Sequence, residues 1–178
     1  MNICVYGASS NDIDQAYISA GEQLGREMAA RKHSLVFGGG QTGLMGAVAR
    51  GMKSGDGKII GIAPRFFDKP GILVEDYQEF VFTETMRERK DLMEQKADAF
   101  IMTPGGIGTM EEFFEIFTLK QLGRHSKPIG ILNVKGYYDE LIQMLIHTAE
   151  KGFMDMSCID LFCVSESPDE LLDMISKG

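Results

Sequence analysis

The stretch 98–112, DAFIMTPGGIGTMEE, decides the fold. Residues 98–103 read as a short, mostly apolar strand, and a glycine turn follows. From about Met110 to Leu122 the apolar residues take up helical spacing. The same succession recurs outward in both directions. Upstream, NICVY (2–6) is closed by Gly7 and followed by a helical pattern from Ile13 to about Arg31. SLVF (34–37) runs into three glycines and a short helix from Leu44 to about Lys53. KIIGIA (58–63) and EFVFT (79–83) read as further strands, and Thr85 caps a helix running to about Ala97. Downstream, a strand at 128–133 precedes a helix from Tyr137 to about Lys151. LFCV (161–164) precedes a last helix that opens at Pro168. Strands alternating with helices of about 10–15 residues imply parallel βαβ units. Runs such as KIIGIA and PIGIL are apolar at successive positions, as strands buried on both faces are. The expected fold is α/β, a doubly wound parallel sheet with helices on both faces, forming a single domain over 1–178. Residues 64–78 are the most loop-like stretch and are placed to cover a site.

Length and composition agree. A chain of 178 residues fits one domain, and its 44% hydrophobic and 25% charged content is ordinary for a globular protein. No run approaches the roughly 20 apolar residues of a membrane span, and the N-terminus lacks the basic-then-apolar pattern of a secretory signal. The formal net charge of −8 repels phosphate backbones, so nucleic acid is not an expected partner. Three cysteines without a CxxC pair and three scattered histidines suggest no disulfide framework and no metal site. The expectation is a reduced, cytoplasmic, metal-free protein. Cys4 lies in a core strand, where inert burial outweighs reactivity.

Ligands of open parallel sheets sit beyond the carboxyl ends of the strands. Three such ends are rich in small residues: GASS (7–10), GGGQTGLMG (38–46) and PGGIGTMEE (104–112). Glycines let backbone N–H groups approach an anion, and a helix N-terminus adds a favourable dipole, so converging loops of this kind point to a phosphorylated ligand. The plain alternative is that the glycines only make tight turns. Gly38, Gly40 and Gly43 also satisfy G-x-G-x-x-G, but after the second strand rather than the first, and no acidic residue ends the 58–63 strand. Dinucleotide binding is therefore disfavoured, and no G-K-[ST] follows either cluster to make a P-loop.

Within TMRERKDLMEQKA, Met86, Arg89, Lys90, Met93 and Ala97 share one helical face. Arg89 and Lys90 on that inward side either line a pocket for an anion or snorkel past the methionines. Glu111 and Glu112 open the next helix, where acidic residues complement the dipole. A carboxylate beside an anion-binding loop also suits N-glycosidic cleavage, where it stabilises an oxocarbenium-like transition state and activates water. Phe113, Phe114 and Phe117 read as a packing face more readily than a base-stacking box; any exposed part would serve a dimer interface.

PGGIGTMEE matches P-G-G-x-G-T-x-x-E, FGGGQTGLMGAVA matches a second glycine segment, and MRERKDLM is similar to an M-x-x-R-K segment, all of one family. On these residues the chain resembles the LONELY GUY family of cytokinin-activating nucleoside 5′-monophosphate phosphoribohydrolases, long mislabelled as lysine decarboxylases. The resemblance runs in order over nearly the whole chain. It implies a Rossmann-like fold, a homodimer, no cofactor, and hydrolysis of a nucleoside monophosphate such as AMP or an N6-substituted AMP to free base and ribose 5-phosphate. It also implies that Arg89 and Glu112 are catalytic and that Gly105, Gly106, Gly108 and Thr109 bind the phosphate. Lys90 and the Gly43–Gly46 turn would line the site, with Ser9 and Met86 near the ligand. The chain departs from the pattern at Arg87, where many members have His; this bears on base preference rather than on the chemistry. Lysine decarboxylation would need a pyridoxal-binding lysine in a supporting site, which nothing here suggests. The competing reading is a non-catalytic nucleotide or molybdenum-cofactor carrier on the same scaffold, which needs the phosphate loops but not the Arg89–Glu112 pair. For the dinucleotide reading, the expected outcome is that adding the protein leaves NADH fluorescence unchanged; saturable enhancement would sink that exclusion.

Overall fold

In strand β1 (Asn2–Tyr6), Ile3 and Val5 pack on one side of the sheet, Cys4 and Tyr6 pack on the other, and all four are buried. That two-sided burial explains why the run is apolar without alternation. The computed structural model describes residues 1–74 and 77–177. Its other strands are β2 (Ser34–Phe37), β3 (Ile59–Pro64), β4 (Glu79–Thr83), β5 (Ala99–Met102), β6 (Ile129–Leu132) and β7 (Cys163–Ser165). They form one sheet of order β4-β3-β2-β1-β5-β6-β7, with every neighbouring pair parallel.

Helices α1 (Gln15–Ala30), α2 (Gly43–Ser54) and α6 (Pro168–Lys177) cover the Ile3 side through Leu24, Met28, Leu44, Met52 and Leu171. Helices α3 (Met86–Lys96), α4 (Ile107–Gln121) and α5 (Asp139–Glu150) cover the Cys4 side through Met93, Phe113, Phe117 and Leu145. This is the doubly wound architecture read from the sequence. From β1 the chain builds outward through β2, β3 and β4, then returns to pair β5 on the other edge of β1. The loops leaving β1 and β5 therefore part in opposite directions and open a crevice at the carboxyl edge.

Several boundaries shift from the sequence expectation, and three of the shifts have a local cause. Helix α4 begins at Ile107 rather than near Met110, with Gly106 extended at its N-cap. First-turn N–H groups have no intrahelical acceptors, so weak helix formers such as Gly108 and Thr109 are tolerated there. Residues Met156–Leu161 form a 3₁₀ turn capped by the Asp155 carboxylate, which accepts from Ser157 N at 2.8 Å, and the last strand starts only at Cys163. Phe162 turns instead into an aromatic cluster with Phe113 and Phe117. The third is α5, which follows a 3₁₀ turn (Val134–Gly136) where Lys135 and Gly136 both adopt positive φ. Of the 64–78 loop, residues 75 and 76 lie outside the described residues, as does residue 178.

Helices α1 and α2 touch backbone to backbone. A Cβ on Gly25 would collide with the Val48 carbonyl, and one on Gly51 with that of Glu22. Gly106 is the opposite case, since a Cβ there meets nothing within 4 Å. Gly25→Val is therefore expected to destabilise the fold by about 2–3 kcal/mol through overpacking, whereas Gly106→Ala stays within about 0.5 kcal/mol of wild type. Urea unfolding of the two variants checks both, and equal stabilities would contradict the close helix contact.

Candidate active site

The crevice is a cleft of about 550 Å³. Gly7, Ala8 and Ser9 line it after β1, and Gly38, Gly40 and Thr42 after β2. Met86 and Arg89 of α3 and the first turns of α4 line it from the other side of the sheet. Its centre is an ion pair. Arg89 Nη1 donates to Glu112 Oε1 at 2.6 Å, and the two side chains are only 9% and 12% exposed. Arg89 Nε also donates to the Ile62 carbonyl within β3, at 3.3 Å. The guanidinium lies against Gly38, where any Cβ would collide with Nη2. Arg89 is thus held from β2, β3 and α4 at once, although it belongs to α3.

Burial pushes the Glu112 carboxyl above the ordinary glutamate value, and the Arg89 charge and hydrogen bond only partly oppose this. A carboxylate in a cleft that is more readily protonated than a solvated one is equipped for proton transfer. Beneath it on β1, burial pushes the Cys4 thiol up to about 12, in keeping with an inert core cysteine.

The two long glycine loops differ in what they leave free. At the start of α2, Gly43 N donates to Asn11 Oδ1 at 2.7 Å, and Leu44 N and Met45 N both donate to the Ala8 carbonyl at 2.9 and 3.2 Å. Those donors are consumed within the protein. Gly43 adopts positive φ against the backbone of Ala8 and Ser10, and a Cβ on Gly46 would collide with the Gln41 carbonyl. Both glycines stand behind the cleft wall, not on it. At α4, the Gly106 N-cap has no side chain to offer, so the first-turn N–H groups open onto the cleft beside Gly106, Gly108 and Thr109.

The remaining site candidates divide likewise. Ser9 and Met86 line the cleft and are exposed. Gly105 faces a smaller neighbouring hollow beside Tyr17 and Tyr137. Lys90 does not line the cleft. Its ammonium pairs with Glu111 at 2.6 Å and Glu115 at 2.9 Å, bonds that raise its pKa. One helical step from Arg89 is enough to send it along α4 instead of inward. Phe113 and Phe117 are fully packed in the core, so neither is free for an interface. Arg87 is exposed. Among the described residues, no group of three His, Cys, Asp or Glu side chains is arranged to hold a metal ion. No described helix is long and apolar enough to cross a membrane.

One wall comes from the 64–78 stretch that the sequence places over a site, although the sequence singles out no residue within it. Phe67, Gly71, Ile72 and Leu73 form an apolar strap that faces the cleft with Met45 and Met86. It is stitched to the β2 loop by Gln41 N to Ile72 O at 3.0 Å and Val74 N to Gly39 O at 2.7 Å.

The family model described as "Possible lysine decarboxylase" matches residues 45–175. The cytokinin riboside 5′-monophosphate phosphoribohydrolase LOG2 of Arabidopsis thaliana is 36% identical over 98% of this chain and 82% of its own length. The probable cytokinin riboside 5′-monophosphate phosphoribohydrolase LOGL3 of Oryza sativa subsp. japonica is 38% identical over 98% of this chain and 82% of its length. In fold, the molybdenum cofactor carrier protein of Chlamydomonas reinhardtii superposes with a TM-score of 0.75, at 19% identity over 99% of this chain and 96% of that one. A family match over most of the chain, joined to relatives of this similarity over nearly all of it, means that the chain belongs to the LONELY GUY (LOG) family.

Proposed function

We propose that this protein hydrolyses the N-glycosidic bond of a nucleoside 5′-monophosphate, AMP or an N6-substituted AMP, to free base and ribose 5-phosphate. The observation that carries the reading is the buried Arg89–Glu112 pair in the wall of the cleft onto which the α4 N-terminus opens. The relatives' names supply the reaction class. The 5′-phosphate sits on the free N–H groups at the start of α4, with Gly106, Gly108 and Thr109 around it. Glycine at 106 and 108 answers no contact within the protein, since a Cβ at either meets nothing within 4 Å. A phosphate seated there is what would need the room. Binding at the phosphate positions C1′ near Glu112.

As the bond to the base weakens, positive charge develops on the ribose and Glu112 stabilises it. Water attacks C1′ and gives a proton to Glu112, and the bond from C1′ to the base breaks with its electron pair leaving on the base. The departing base takes up a proton, equivalent to the one Glu112 then releases, so that free base forms and the carboxylate is restored. Arg89 holds Oε1, fixing the carboxylate and favouring its ionised form. The apolar strap of Phe67, Ile72 and Leu73 suits the base end of the ligand. In this reading the protein works in the cytoplasm as a homodimer, without metal or cofactor. Its interface would use exposed apolar residues such as Ile107 and Phe153, 82% and 86% exposed. A molybdenum-cofactor carrier is the second reading, favoured by the likeness in fold. A carrier has no use for a buried carboxylate with raised pKa.

Chromatography of AMP and N6-isopentenyl-AMP after incubation tests the reaction. Wild type is expected to release free base, and Glu112→Ala to lower the rate roughly 100- to 10,000-fold. No base from either nucleotide, with saturable binding intact, would transfer the assignment to the carrier. Equal rates would keep the enzyme and remove Glu112 from its role. A pH profile adds a second check. Glu112 must be ionised to act, so kcat is expected to fall as pH drops through a value above the usual glutamate range. Arg89→Ala removes the charge that favours ionisation, so the acid limb of its residual activity moves to higher pH. A limb that stays put would separate Arg89 from the carboxylate's titration.

A further inference from the structure

Four consecutive carbonyls, Thr103 to Gly106, each have a donor. Pro104 O accepts from Ala8 N and Gly106 O from Met110 N, both at 3.1 Å. The other two are held by adjacent side chains of one turn: Tyr138 Oη donates to Thr103 O and Tyr137 Oη to Gly105 O, each at 2.9 Å. That turn is itself braced. Asn133 Oδ1 accepts from Tyr138 N, and Asn133 Nδ2 donates to Asp139 Oδ1, both at 2.7 Å. The Tyr138 ring is fully buried; Tyr137 is 40% exposed and meets Tyr17 and Tyr138 edge-on.

A carbonyl oxygen turned toward an anion repels it. Because the peptide unit is planar and trans, holding Gly105 O on the tyrosine side turns the Gly106 N–H to the opposite side. With all four acceptors occupied, the loop has only donors left to present. Nothing in the PGG motif itself ensures this, since glycine peptides turn over with little steric resistance. We propose that Tyr137 and Tyr138 are positioning residues for this loop: their hydroxyls hold the Gly105 and Thr103 carbonyls in place, so that the start of α4 offers a phosphate monoester donors alone. This rests on the phosphate site proposed above.

Calorimetric titration with ribose 5-phosphate, alongside steady-state kinetics on AMP, separates the possibilities. Tyr137 is at the surface, so Tyr137→Phe is expected to keep the wild-type melting temperature. Its affinity for ribose 5-phosphate should fall and its KM for AMP rise by roughly 2- to 10-fold, the worth of one hydrogen bond, with kcat little changed. Tyr138→Phe strips a buried carbonyl of its donor, so it should show the same loss together with a lower melting temperature. Wild-type affinity in both variants would overturn the positioning role alone. A Tyr137→Phe variant that loses affinity only in step with its melting temperature would do so too, by showing a merely structural contact. Wild type that fails to bind ribose 5-phosphate would overturn the phosphate site itself, and the tyrosines' role with it.

Discussion

The parting of the loops that leave β1 and β5 governs this molecule. A parallel sheet aims its strand ends, and the N-termini of the helices that follow, at one edge. Those helix ends carry backbone donors that helix formation cannot satisfy. Where neighbouring crossovers run to the same side, adjoining chain fills the space. Between β1 and β5 they diverge, and a cleft remains. The two glycine-rich helix starts resolve their donors differently. The β1 loop folds over α2 and takes its N–H groups with the Ala8 carbonyl and the Asn11 side chain. Helix α4 has no such cover and faces the cleft.

The ion pair set into that cleft is not there to hold the fold together. Burying two charges costs solvation that their attraction seldom exceeds by much, and a well-packed apolar pair does as well or better. Arg89 reaches across from α3 to the Ile62 carbonyl and rests on Gly38, so four elements are committed to one guanidinium. Even so, Glu112 remains easier to protonate than a solvated glutamate. A chain that keeps such a carboxylate, instead of an apolar contact, gives up stability for chemistry. Lys90, one residue on, shows the ordinary alternative: a partly buried clamp between α3 and α4 through Glu111 and Glu115.

The features legible in the order of residues are those that local pattern controls. The unbroken apolar run of β1, alternation of strand and helix, the Thr85 cap, and a turn rich in glycine before α4 are short-range properties, and each is present as read. The helical register of α3 likewise put Arg89 inward, because a residue's face depends only on its neighbours within two turns. Tertiary structure alone decided the rest. It chose which glycine loop keeps its donors, through an Ala8 carbonyl some 36 residues from the N–H groups it satisfies. It sent Lys90 to α4, picked Phe67, Ile72 and Leu73 out of the covering loop to face the cleft, and brought the hydroxyls of Tyr137 and Tyr138 to carbonyls more than 30 residues upstream. Such contacts join segments that no periodicity links. They arise only once the sheet order sets which loops are neighbours, and so the donors, acceptors and walls of the site become visible only in the folded chain.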